Sequence, residues 1–283
     1  MLLNPARPFF DARLAALLAL FVALAAAYNA VTPLFEAPDE RDHVSYANWL
    51  ANGGGLPHLV ADRAAVGEIW QPPLYYALVA AVIAPIDRAD FPITAPLSDD
   101  WLAGSTYVAH YHRAGEGFPW HGTALATHIA RFVSTALGLI TVLATYAIGR
   151  RLLPGYALVA AALVALNPQF VFMSAAVNND NLVIALSAVV LWLLARLITD
   201  LEPDGRPRDP GWREYVALGV LWGLAALAKL TGLTLGSVIG LTLLYLAWRR
   251  RSWRPLLWGG ALVGATLLLS AVMISGNTMA QRR

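Results

Sequence analysis

From Leu14 to Val31 the chain carries no charged side chain, and the run is roughly the twenty apolar residues that a bilayer crossing needs. Lipid offers no partners for backbone N–H and C=O groups, so such a run must be a helix. Apolar runs recur at about 124–148, 156–177, 182–198, 215–228, 231–247 and 255–275. Only 13% of the 283 residues are charged, where a soluble domain carries about a quarter, and the mean hydropathy is +0.56. The chain therefore reads as an all-α polytopic membrane protein with about seven transmembrane helices. Arg7 and Arg13 precede the first run and no small-residue cleavage site follows it, so this span also reads as an uncleaved targeting signal.

One apolar segment, Pro73–Ile86, is shorter. Its length suits an interfacial or re-entrant helix better than a crossing. The basic residues give an independent test. If the segment does not cross, Arg7, Arg13, Arg150, Arg151 and the cluster Arg249-Arg250-Arg251 share one side, which the positive-inside rule makes cytoplasmic. If it does cross, every later cluster moves outside. The expected topology thus has a cytoplasmic N-terminus, a plasma (inner) membrane location and three parts. These are a first segment and span (1–31), an outer loop with interfacial helices (32–123), and six further spans (124–283). The formal net charge is only +2 and the basic residues follow topology, so nucleic acid is not an expected partner. No cysteine is present, which excludes disulfides and thiolate chemistry. The chain stops just after an outward-going span, which reads as a fragment or a truncated gene.

Most of the unusual polar residues fall on that outer side. Pro38-Asp39-Glu40 directly follows the first span. Pro38 suits the first position of a helix, and Asp39 and Glu40 then occupy its first turn, where negative charge is favoured. Asp39, Asp42, His43 and Tyr46 would share a face. An acidic first turn by itself reads as helix capping. Beside a lipid head group it can also act as general base toward an acceptor hydroxyl, or hold a divalent cation on a phosphate. No cofactor is fixed by the sequence beyond that candidate cation. Glu68 and Gln71 are candidates for sugar contact, whereas Trp70, Tyr75 and Tyr76 suit the aromatic belt. Asn178-Asn179-Asp180-Asn181 begins a span and offers more polar groups than an N-cap requires. Lys229, between two apolar runs, either snorkels to the interface or meets a phosphate. His110, His112, Arg113 and His121 match no metal-site spacing. A Gly-rich phosphate loop, a Ser nucleophile elbow and His-Glu-x-x-His are all lacking, so nothing supports a cytosolic nucleotide-using enzyme.

The order of these features is similar to one known pattern. A first span is followed by Pro-Asp-Glu-x-x-His-x-x-Tyr (Pro38 to Tyr46), then Gly-x-Leu-Pro (Gly54 to Pro57) and Gln-Pro-Pro-Leu-Tyr-Tyr (Gln71 to Tyr76). Arg131, Asn178-Asn179-Asp180 and Lys229-Leu230-Thr231-Gly232 come later. This resembles bacterial GT-C membrane glycosyltransferases of family thirty-nine, the dolichyl-phosphate-mannose protein mannosyltransferase-like and RgtA/B/C/D-like proteins. The resemblance implies a GT-C-like fold and a sugar donor carried on a polyprenyl phosphate. It implies transfer on the outer membrane face to a lipid, glycan or protein acceptor. It places the base on Asp39, with Glu40 as the alternative. His43, Tyr46, Glu68, Gln71, Tyr75, Arg131, Asn179, Asp180 and Lys229 become candidate substrate contacts, with Lys229 or Arg131 meeting the donor phosphate. The competing readings are a non-catalytic membrane scaffold or remnant and, less favoured, a transporter, which would carry charges inside its spans.

Overall fold

Asp11 starts the first helix: its carboxylate accepts from the backbone N–H of Arg13 at 3.1 Å and of Leu14 at 2.9 Å, a side-chain N-cap. The helix, α1 (Ala12–Val31), stops where Thr32 meets Pro33, since a residue before proline is pushed out of helical geometry. The computed structural model describes residues 9–58, 62, 66–94, 112, 114–261 and 263–265. The further helices are α2 (Glu40–Ala51), α3 (Leu74–Ile83), α4 (Phe91–Thr94), α5 (Gly122–Leu152), α6 (Ala157–Ala165), α7 (Pro168–Ser174), α8 (Asp180–Thr199), α9 (Trp212–Ala228) and α10 (Leu235–Arg250). Residues 254–261 are helical as well. Among the described residues there is no strand beyond an isolated bridge between Leu201 and Pro207.

Four helical stretches among the described residues are long and apolar enough to cross a membrane: Ala12–Val31, Gly122–Leu152, Asp180–Thr199 and Leu230–Arg250, with a broken pair raising the number to five. The expected 156–177 span is that pair. It breaks at Leu166-Asn167, because Pro168 has no N–H to continue the ladder and disfavours helical geometry at the residue before it. Helix α9 has 17 residues, about 25 Å at 1.5 Å per residue. Helix α3 has ten and stays well short of the roughly 30 Å hydrocarbon core. Most of the expected 255–275 span, together with His110 and Arg113, lies outside the described residues.

The described residues fall into two compact units. One comprises the described parts of Leu20–Gly138 and Pro168–Asn181; the other comprises those of Met1–Ala19, Leu139–Asn167 and Leu182–Arg283. Within the first, Phe21 stacks on Phe170 with centroids 5.7 Å apart and Tyr28 meets Phe172 edge-on at 5.8 Å. In the second, Arg151 at the end of α5 donates to Thr199 at 3.1 Å and to Asp200 at 2.6 Å.

Candidate functional site

The site is built on a polar stripe that α5 carries into the first unit. Thr123, Thr127, Arg131 and Thr135 recur every four residues, so they lie on one face of the helix. All four are buried, as are His128 and Ser134. Helix α5 has 31 residues, about 46 Å of length, which exceeds what a bilayer crossing requires. The stripe is satisfied locally. Thr123 N–H and Oγ1 donate to Asp90 Oδ1 at 2.9 and 2.7 Å. Thr135 Oγ1 donates to the Ser174 carbonyl at 2.9 Å. Asn29 donates to the His128 carbonyl at 3.1 Å, and its side-chain oxygen is 2.7 Å from His128 Nδ1.

Arg131 organises the turn after α1. Its Nε donates to Glu40 Oε1 at 2.8 Å, and one terminal nitrogen donates to Glu40 Oε2 at 2.6 Å and to the Pro33 carbonyl at 3.0 Å. The other donates to the Asn29 and Thr32 carbonyls at 2.9 and 2.8 Å. All five N–H groups of a guanidinium are thereby used. Glu40 is equally saturated, since its oxygens also accept the Phe35 N–H at 3.0 Å and the Val177 N–H at 2.9 Å. Both side chains are 0% exposed. The pair ties together the end of α1, the loop to α2, the first third of α5 and the turn after α7. The expectation from sequence has Lys229 or Arg131 meeting the donor phosphate and Glu40 as the alternative base. In the structure Arg131 and Glu40 both spend every hydrogen-bonding position on the fold.

Asp39 is placed quite otherwise. Helix α2 starts at Glu40, two residues later than the Pro38 start expected from sequence, and Asp39 is its N-cap at φ 57° and ψ 9°. Phe35 has a φ of 67°, so the loop makes two left-handed turns between Pro33 and Glu40. The reason is Glu40, whose carboxylate reaches back to the Phe35 N–H and across to Arg131. Aspartate tolerates left-handed geometry better than most residues. The Asp39 carbonyl accepts from Asp42 and His43 N–H, each at 3.0 Å, but its side chain makes no capping bond. Asp39 is exposed, and among the described residues its carboxylate has no ion pair. It does not share a face with His43 and Tyr46, which are buried.

Those two residues join a ring cluster with α3. His43 Nδ1 and Tyr76 Oη are 2.8 Å apart, and the Tyr46 and Tyr76 rings stack at 4.1 Å. Burial pushes the Tyr46 phenol up to about 12. Burial, followed by the charge of Glu68 and with a smaller contribution from Asp180, raises Tyr76 well above the usual tyrosine value, so both phenols stay protonated. Tyr75 is fully buried. Its oxygen lies 2.8 Å from Ser134 Oγ and accepts the Asn178 N–H at 3.0 Å. Asn179 donates to Gln71 at 3.1 Å, and Asn178 Oδ1 accepts the Asp180 N–H at 2.7 Å, an Asx turn that starts α8. The 177–181 turn therefore connects the Glu40 pair, through Val177, to the tyrosine cluster. Glu68 has a φ of 51°. The neighbouring Gly67 lies so close to α2 that a Cβ there would come within 2.3 Å of Asp42.

Of the sequence candidates, Glu40, His43, Tyr46, Gln71, Tyr75, Arg131, Asn179 and Asp180 are drawn into this network, with Glu68 and Asp39 at its edge. Lys229 belongs to the other unit, where its N–H closes α9 on the Ala225 carbonyl at 3.0 Å. His112 bridges Glu36 at 3.1 Å and Glu116 at 2.9 Å. Among the described residues no three His, Asp or Glu side chains group as a metal site. Sequence reasoning missed Asp90, His128, Ser134 and Arg88. Arg88 is buried and donates to Asn48 and Asn52, each at 2.9 Å, and to the carbonyls of Ile83 and Ile86. The four-residue polar repeat in the first half of α5 was the available signal for the stripe.

The chain has relatives among known proteins. The profile of the dolichyl-phosphate-mannose-protein mannosyltransferase family matches residues 123–274. That is more than half of the chain, and the chain belongs to this family. It is a multi-pass membrane protein of the GT-C, family-thirty-nine type. Among solved structures, that of the S. cerevisiae protein O-mannosyltransferase Pmt1-Pmt2 complex bound to the sugar donor is similar in fold, with a TM-score of 0.54 at 20% identity. The match covers 96% of this chain and 36% of the solved chain, so the present chain spans about a third of that relative. No curated protein matches.

Proposed function

We propose that this chain is a membrane glycosyltransferase, or its catalytic portion, moving mannose or a related sugar from a polyprenyl-phosphate donor to a lipid, glycan or protein acceptor on the outer membrane face. The observation that carries the proposal is the contrast within Asp39-Glu40. Glu40 is locked to Arg131, and this holds the adjacent Asp39 in left-handed geometry with its carboxylate exposed. An exposed carboxylate on a fixed stretch of backbone just past a membrane span suits a base for an interfacial acceptor. Asp39 would take the acceptor hydroxyl proton as that oxygen attacks the anomeric carbon. The bond from the anomeric carbon to the phosphate oxygen would break, and its electron pair would leave with the polyprenyl phosphate. One displacement inverts the anomeric centre.

The test is transfer from a panel of polyprenyl-phosphate sugars by the full chain in membranes, beside Asp39→Asn. A general base contributes about 10²–10⁴-fold. A loss of that size with unchanged thermal stability supports the assignment. Equal transfer by both proteins removes Asp39 from the role, and a product of retained configuration rules out the single displacement. Absence of turnover by the folded wild type favours a non-catalytic protein.

A further inference from the structure

In the unit that contains α9 and α10, a cleft of about 420 Å³ is lined by Asp209, Pro210, Trp212, Tyr215, Arg254 and Trp258. It forms where two helices begin, α9 at Trp212 and the 254–261 stretch, and helix starts favour negative charge. The stretch is seated firmly: a Cβ on Gly259 would come within 2.8 Å of the Tyr215 ring and 3.0 Å of Leu243.

The charges around the cleft are unevenly matched. Arg250 pairs with Glu202 at 3.2 Å and with Asp209 at 3.6 Å. Arg208 pairs with Glu214, Arg196 with Asp200 at 3.3 Å, and Arg206 with Asp204 at 3.6 Å. Arg254 has no ion pair among the described residues, and Arg213 lies over the Trp212 ring at 5.5 Å. Asp209 is the carboxylate in the lining, and Arg250 already meets its charge. The 196–214 and 249–254 segments around the cleft carry eight arginines against five carboxylates, so its surroundings are net positive. Its walls are apolar: Trp212 is 66% exposed and Trp258 65%, with Trp253 and Leu257 similarly open to the surroundings.

Exposed indoles at the ends of apolar helices suit the head-group layer, and an uncompensated arginine there attracts anionic lipid. We propose that this cleft binds the phosphate group of an anionic phospholipid. Arg254 holds the phosphate, and Trp212 and Trp258 pack against the glycerol and the first acyl carbons. The site is independent of the proposed transfer reaction and stands whether or not the chain is active.

The experiment uses the full chain, purified, stripped of lipid and returned to nanodiscs of phosphatidylcholine alone or mixed with phosphatidylglycerol. Lipid retained on the protein is counted by native mass spectrometry. The expected result is about a fivefold preference for phosphatidylglycerol, the size of one arginine contact to an anionic surface. That preference should vanish in Arg254→Gln, persist in Arg254→Lys and in the paired Arg206→Gln, and weaken in Trp258→Ala. Inorganic phosphate, added separately, should not displace the lipid. No preference in the wild type, or an equal preference in Arg254→Gln, overturns the proposal. Displacement by inorganic phosphate would mark the cleft as a free-anion site and overturn the lipid assignment. Should Arg254→Gln fail to fold, the Arg254→Lys and Trp258→Ala results decide.

Discussion

Arg131 and Arg250 are both arginines on apolar helices facing carboxylates, and they are held in opposite ways. Arg131 and Glu40 are completely enclosed. Between them they also satisfy five backbone groups: the carbonyls of Asn29, Thr32 and Pro33 and the N–H groups of Phe35 and Val177. Arg250 shares two carboxylates, Glu202 and Asp209, whose side chains are 39% and 46% exposed. Water there can replace any partner that leaves. The same residue types thus build a fixed frame in one region and a replaceable surface in the other.

The comparison is sharpest at Arg131. Arg131→Ala leaves Glu40 buried and uncompensated, and breaking a buried pair in this way costs about 3–5 kcal/mol. Thermal unfolding in detergent should show a large loss, or no folded protein should reach the membrane. A second test separates this pair from ordinary buried ion pairs, which apolar residues often replace at little cost. Glu40→Leu with Arg131→Met should not recover stability, because the five backbone groups lose their partners. A double variant as stable as the wild type would break the comparison. Tyr76→Phe removes one buried hydrogen bond to His43 and should cost about 1 kcal/mol, read from the same melts. Arg250 is itself largely covered, at 19% exposure, but its carboxylate partners are open to water, so Arg250→Ala should cost about 1 kcal/mol, and a loss as large as that of Arg131→Ala would mean that the two regions are not so different.

The smallest effect concerns pH. Burial pulls the His112 pKa down, but its hydrogen bonds to Glu116 and Glu36 and their charges more than offset this, so it stands above the ordinary value. A histidine raised on folding contributes stability that is fully present below its unfolded pKa of about 6.5. That stability is lost as pH rises through the higher folded value. Limited proteolysis near residue 112 should therefore increase as pH passes that value, and His112→Gln should abolish the step.

Much of the architecture was legible in advance. Uncharged apolar runs predict spans because lipid leaves the backbone no alternative to a helix, and α1, α5 and α8 lie where those runs are. The break before Pro168 follows from proline chemistry, yet the apolar count carried the expected span across it. Within the site, sequence located the segments around Asp39, Gln71, Tyr75 and Asn179, because polar groups beside apolar runs stand out. The resemblance ranked Asp39 ahead of Glu40, but residue type and spacing did not separate them. The two are adjacent and chemically alike, and what distinguishes them is Arg131, 91 residues further on, together with two backbone N–H groups.

By itself, then, the sequence determined that the chain is helical, crosses a membrane several times and gathers acids, amides and phenols beside its first span. Those properties follow from hydropathy and local spacing. The tertiary structure decided which acid is enclosed and which is presented. A carboxylate's surroundings are set by donors brought from distant parts of the chain, and no local pattern records their arrival.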